Sequence, residues 1–124
     1  MSIAELYEVH LQLVSIIDEV WQLWLGGTFA FVVAFHVGRD SIEKSVFWVG
    51  SSIYLVASLI LVIRFVDYGV ALGAIIEKVS AAGGDPLQPT GWSGFYAPLT
   101  LVFMVAGTIA AVWYAYRVVR RAGT

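Results

Sequence analysis

Three stretches of this 124-residue chain contain no Asp, Glu, Lys or Arg: 20–38, 45–63 and 86–116. No other feature restricts the fold so tightly. As helix, at about 1.5 Å per residue, each can cover the ~30 Å hydrocarbon core of a bilayer, even if the first part of the third is loop. Soluble helices of this length need a polar face, and none of the three has one. Strands of a membrane barrel would alternate polar and apolar residues, which these runs do not. Composition agrees, with 60% hydrophobic residues, 13% charged residues and a mean hydropathy of +0.83. The chain therefore reads as an all-α integral membrane protein, a single membrane domain of three long transmembrane helices.

The pattern predicts helix 1 over about 3–37, helix 2 over about 42–81, an external loop at 82–94 and helix 3 over about 95–121. Helix 1 begins amphipathic. Glu5, Glu8, Gln12, Ser15, Glu19, Gln22 and Gly26 recur at steps of three and four, which aligns them as one polar seam running into the first span. Leu6, Leu13, Ile17, Val20 and Trp24 form the opposite apolar stripe. Gly38-Arg39-Asp40-Ser41 makes a short turn, with Ser41 the expected N-cap of helix 2. Beyond Ile63, helix 2 continues to Ala82-Gly83-Gly84-Asp85-Pro86. Helices 1 and 2 thus overshoot the membrane on one side by similar lengths. An antiparallel hairpin outside the bilayer is expected, burying Leu6, Leu13 and Ile17 against Ile75, Ile76 and Val79. Trp92, Phe95 and Tyr96 read as an interfacial aromatic belt.

Basic residues set the expected orientation. Arg39, Lys44, Arg117, Arg120 and Arg121 fall on one side with Asp40 and Glu43, and act as topology anchors. The other side holds Arg64 and Lys78 against seven acidic residues: Glu5, Glu8, Asp18, Glu19, Asp67, Glu77 and Asp85. The positive-inside rule places the N-terminus outside and the C-terminus in the cytoplasm. An integral protein of a bacterial cytoplasmic (inner) membrane fits this asymmetry. The acidic start of the chain is unlike a cleavable signal peptide.

The polar residues at the outer boundary form the candidate site: Asp18, Glu19, Gln22, Gly26, Arg64 and Asp67. Arg64 and Asp67 are three apart and share a helix face, while Asp18 and Glu19 arrive at the same height. One reading is a snorkelling arginine neutralised by Asp67, the other a cation site or gate at a pore mouth. Gln22 and Gly26 fall within an apolar span, where a polar side chain facing lipid is costly. They are expected to face either another helix or an aqueous vestibule.

The remaining signals are weaker. Gly69 and Gly73 on helix 2, and Gly107 and Ala111 on helix 3, are small residues that permit close helix packing. His10 and His36 lie roughly 39 Å apart along one helix, so they cannot share a metal within a subunit. Each reads first as a hydrogen-bonded interface residue. With no cysteine, thiolate metal sites are absent. No cofactor fingerprint or nucleophile–base arrangement is present, and no basic face for nucleic acid. The expectation is no enzyme, no cofactor and no resident metal.

In size and span count the chain is similar to the three-helix membrane anchors of succinate dehydrogenase, which implies a membrane-anchor subunit of a redox complex. Neither His10 nor His36 stands in the Ser-x-x-His-Arg-like context of those anchors. Three functional readings follow. The first is a self-assembling scaffold or accessory subunit in contact with the lipid bilayer. The second is a homo-oligomeric channel for monovalent cations with an acidic outer vestibule. The redox anchor is the third.

Overall fold

A computed structural model describes residues 2–84 and 91–122, except the side chains of residues 91–96 and 122. Among the described residues the fold has three helices: α1 (Ile3–Val37), α2 (Lys44–Ala81) and α3 (Gly91–Ala122). At 1.5 Å per residue α1 is about 52 Å long and α2 about 57 Å. All three contain stretches long and apolar enough to cross a membrane, the third over Ala97–Arg121. This is the architecture of an integral membrane protein.

Local chemistry explains where the helices begin and end. Ser2 caps α1: its hydroxyl accepts from the Glu5 amide at 3.2 Å, and the Glu5 carboxylate accepts from the Ser2 amide at 3.3 Å. This reciprocal box satisfies two otherwise orphaned donors, and it gives Glu5 a role that the seam pattern missed. α1 then runs unbroken through Gly26-Gly27. The N-cap of α2 is Glu43 rather than Ser41, and its side chain makes no capping bond. The Ser41 hydroxyl instead donates to the Gly38 carbonyl inside the turn. At the far end of α2, Gly83 adopts a φ of +79°. Its amide donates to Ser80, and the Gly84 amide donates to Val79 at 3.0 Å. That pair of bonds is a Schellman stop, and only glycine takes the left-handed position without strain.

α3 begins at Gly91, four residues before the expected start, and carries Pro98 inside it. Continuing the helix on both sides of the proline satisfies more backbone groups than a loop would, which matters most in lipid. The expected loop therefore shrinks, and its residues 85–90 lie outside the described residues. So do the side chains of Trp92, Phe95 and Tyr96, on which the aromatic belt rests.

Buried residues recur at steps of three and four, or of several whole turns, on each helix: Leu6, Val20, Trp24 and Phe35 on α1, Phe47, Ser51, Tyr54, Ser58 and Phe65 on α2, and Thr100, Met104, Thr108, Ala111, Ala115 and Val119 on α3. This is the repeat of helices that pack at a shallow angle. Three apolar clusters stack along the bundle. Phe35, Phe47, Ala115 and Val119 close the end nearest the α1–α2 turn. Val20, Trp24, Phe65 and Met104 fill the middle. Leu6, Ile75 and Val79, with Tyr7, Val9 and Leu13 against them, join the two remaining helix ends. The first two helices are therefore antiparallel along their whole length.

Hydroxyls are buried among these apolar clusters, and large apolar side chains cover the outside. Ser51, Tyr54, Ser58, Thr100 and Thr108 face inward, while Phe29, Trp48, Ile53, Val102, Ile109 and Trp113 stand exposed. Soluble proteins do not leave so continuous an apolar surface in water. Lipid covers it at no cost.

Small residues split into two groups. Gly107 meets the indole of Trp24, and a Cβ added there would lie 2.7 Å from the ring. Ala111 is buried. Gly69 and Gly73, expected to tighten the hairpin, are exposed, and a Cβ on either would meet nothing within 4 Å. Gly73 falls out of phase with Phe65, Ile75 and Val79, the buried positions in this part of α2, while Gly69, one turn from Phe65, is exposed all the same. Gly73→Leu is accordingly expected to raise monomer stability by about 0.5–1 kcal/mol, because glycine costs backbone entropy inside a helix and nothing opposes the added side chain. The readout is a slightly higher unfolding midpoint in mixed micelles. A loss above about 1 kcal/mol, outside the usual range for a surface position, would place an unseen contact over α2.

Candidate functional site

Within the span, two of the inward-facing hydroxyls, those of Thr108 and Tyr54, are tied across helices. The Trp24 indole N–H donates to Thr108 Oγ1 at 3.0 Å, and that hydroxyl donates to the Met104 carbonyl one turn back at 2.7 Å. One hydroxyl thus serves as acceptor and donor at once, linking α1 to α3 through a ring that is 2% exposed. Trp21 stacks on Trp24, and Phe103 packs its ring against both. Thr28 Oγ1 and the Tyr54 hydroxyl lie 2.7 Å apart, linking α1 to α2. Ser51 Oγ is buried with no partner among the described residues.

In the sequence Ser51 and Ser58 read only as small residues that let helices approach, and Trp24 as part of an apolar stripe, although a signal for the polar contacts existed. Ser51, Tyr54 and Ser58 are spaced three and four apart in an otherwise apolar run, and a polar stripe at helical spacing inside a span must face protein. Bonds of this kind average about 0.6 kcal/mol in membrane bundles, with a ceiling near 1.7. Tyr54→Phe, which keeps the ring stacked on Phe31, is expected to cost that amount. A denaturation series in mixed micelles checks it, and no change would mean that Thr28 finds another partner.

Near the opposite end, His36 Nδ1 is 2.6 Å from the Tyr114 hydroxyl, and Nε2 is 3.4 Å from an Arg39 nitrogen. His36 thus bridges Tyr114 of α3 and Arg39 of the turn through its two ring nitrogens, with the donor at the Tyr114 contact set by the tautomer. Arg39 also donates to the His36 carbonyl at 3.1 Å, binding the end of α1. The guanidinium of Arg117 sits 4.7 Å over the Trp113 ring, a cation–π contact. Arg117, Arg120 and Arg121 line a shallow cleft with Trp113 and Tyr116. Lys44 is exposed as the first residue of α2.

Among the described residues no side-chain hydrogen bond or ion pair joins the six residues singled out at the other boundary. Asp18, Glu19, Gln22, Gly26, Arg64 and Asp67 are all exposed. Among the described residues no carboxylate lies within 4.0 Å of the Arg64 guanidinium. Asp67 shares its helix face without pairing, because two exposed side chains gain little from being held together in water. The whole seam from Glu5 to Gly26 lies on the side of α1 turned away from the bundle. A Cβ on Gly26 or Gly27 would meet nothing within 4 Å.

Arg64 has neighbours of another kind. It stands at the mouth of a groove of about 460 Å³ between α1 and α2, lined by Leu23, Gly27, Thr28, Tyr54, Ala57, Ser58, Ile60 and Leu61. The walls are mainly apolar, with three hydroxyls at their base. Among the described residues no three His, Asp or Glu side chains converge as metal ligands do.

Fold and site together define a small three-helix integral membrane protein with a polar seam and a charged groove left uncovered. Comparison with protein families, curated proteins and solved structures finds no match to the chain.

Proposed function

We propose that the chain is a non-enzymatic membrane protein that self-assembles, serving as a scaffold or accessory subunit in a bacterial cytoplasmic membrane. In this reading the N-terminus is outside. The acidic halves of α1 and α2 stand in external water, and the Arg39 and Arg117–Arg121 end contacts the cytoplasm, as the distribution of basic residues favours. The observation that carries the reading is the exposure of Gln22 and Gly26. They lie in a charge-free span on the outer surface of the bundle, where an amide facing hydrocarbon is left without partners. A second copy of the chain supplies cover. Native mass measurement in nanodiscs tests it: an oligomer is expected, and a monomer at micromolar concentration would overturn it.

A second reading draws on the surplus of carboxylates at the Arg64 height. In a ring with the seam turned to the axis, Glu19 and its neighbours would concentrate monovalent cations at the outer mouth. Reconstituted liposomes would then pass monovalent cations, and Glu19→Gln would reduce selectivity. Tight liposomes at high protein load would exclude it.

A further inference from the structure

We infer that the α1–α2 groove of one copy receives the α1 seam of the next, with Glu19 of the seam meeting Arg64 at the groove mouth. This rests on the self-assembly proposed above and names its surface. Three observations on the molecule converge. First, Arg64 is a cation at the head of an apolar groove with no carboxylate within 4.0 Å among the described residues. Second, the seam is exposed and offers Glu19, an acidic group with no ion pair among the described residues. Third, the heights agree. Val20 and Trp24 share a cluster with Phe65, so Arg64 stands level with the start of the first span, where Glu19 is.

A bilayer holds all copies at one depth, so a seam residue can meet only groove residues of its own height. Within the seam, Gln22 lies three residues deeper than Glu19 and Gly26 seven deeper. On α2, which runs the other way, Ile60 lies four residues and Ala57 seven residues deeper than Arg64. At about 1.5 Å per residue these steps match to within ~2 Å. Glu19 then faces Arg64, Gln22 faces the Ile60 turn beside Ser58, and Gly26 faces Ala57. The last pair lets two backbones approach closely, and the open space over Gly26 is room for it. The amide of Gln22 leaves lipid for a groove that carries hydroxyls.

Seam and groove are different surfaces of one chain, so the contact is heterologous. It closes into a ring if the rotation between copies permits, or extends as a row. Seating the seam in a neighbour's groove also turns it away from any central axis.

The chain has no native cysteine, which makes cross-linking clean. Gln22→Cys and Ile60→Cys proteins, purified separately, mixed in detergent and reconstituted together, are expected to form a disulfide dimer on oxidation. Gln22→Cys alone should remain uncross-linked. Charge reversal provides an independent arm. Glu19→Arg and Arg64→Glu should each shift the mass to monomer, and the double variant Glu19→Arg/Arg64→Glu should restore the oligomer. If the wild type is monomeric in nanodiscs, self-assembly itself fails. An oligomeric wild type overturns the groove, and leaves assembly standing, in either of two outcomes. One is no disulfide between the Gln22→Cys and Ile60→Cys proteins, and the other is cross-linking of Gln22→Cys to itself. Each cysteine replaces an exposed residue, so the cross-link reads out even where a charge reversal fails to fold.

Discussion

Gly107→Leu is expected to be the most damaging single substitution in the bundle. A Cβ alone would approach the Trp24 ring to 2.7 Å, and the rest of a leucine side chain would occupy the indole's place. Trp24 cannot swing aside cheaply. It is 2% exposed, its N–H is held by Thr108 at 3.0 Å, and Trp21 and Phe103 pack on its faces. Overpacking costs about 1–3 kcal/mol, and the displaced indole N–H, buried without an acceptor, adds ~1–3 kcal/mol. We expect loss of the folded monomer in mild detergent, seen as a shift of Trp fluorescence and a fall in unfolding midpoint. Gly107→Ala, with only the Cβ, should fall between wild type and leucine. Equal stability of wild type and Gly107→Leu would mean that α3 does not press on Trp24.

Val79→Asp ranks second, and its effect is regional. Val79 is fully buried against Leu6 and Ile75, and an unpaired carboxylate there costs several kcal/mol. The Leu6–Ile75–Val79 cluster is distinct from the Trp24 cluster, so the damage should stop short of the middle of the bundle. Hydrogen exchange is expected to show lost protection over about 3–16 and 70–81, with 24–37 and 45–63 unchanged. Uniform loss along the chain would show that the three clusters fold as one unit. Unchanged protection at both ends would remove the hairpin contact.

Much of this was legible in the residues. The absence of charge from three long runs dictates helices and a lipid environment, since only such segments hide every backbone group without water. The seam was equally plain, being a repeat. What the sequence could not show was where exposed charges point. Arg64 and Asp67 have the spacing of a pair, yet that spacing only makes contact available, and solvent competes for both. The glycines show a different limit. Gly107 and Gly73 look alike as small residues on a helix, and phase separates them. Gly107 adjoins Met104, Thr108 and Ala111 in the buried repeat of α3, whereas Gly73 lies off the repeat of α2. The inward serines read as small residues that let helices approach, because Ser51 and Ser58 have the size as well as the hydroxyl. Only their helical spacing with Tyr54 marks them as a polar stripe.

The unbroken course of α1 has a mechanical consequence. It is gripped near its middle by the Trp24 collar, leaving about 32 Å of rod toward Ile3 and about 20 Å toward Val37, at 1.5 Å per residue. Both arms are also seated, the longer through Leu6 on Ile75 and Val79 and the shorter through Phe35 on Phe47 and Val119. The rod rocks only where both outer clusters give way together. Any rocking that moves the Val37 end moves the Ile3 tip the opposite way, about 1.6 times as far by the ratio of those lengths.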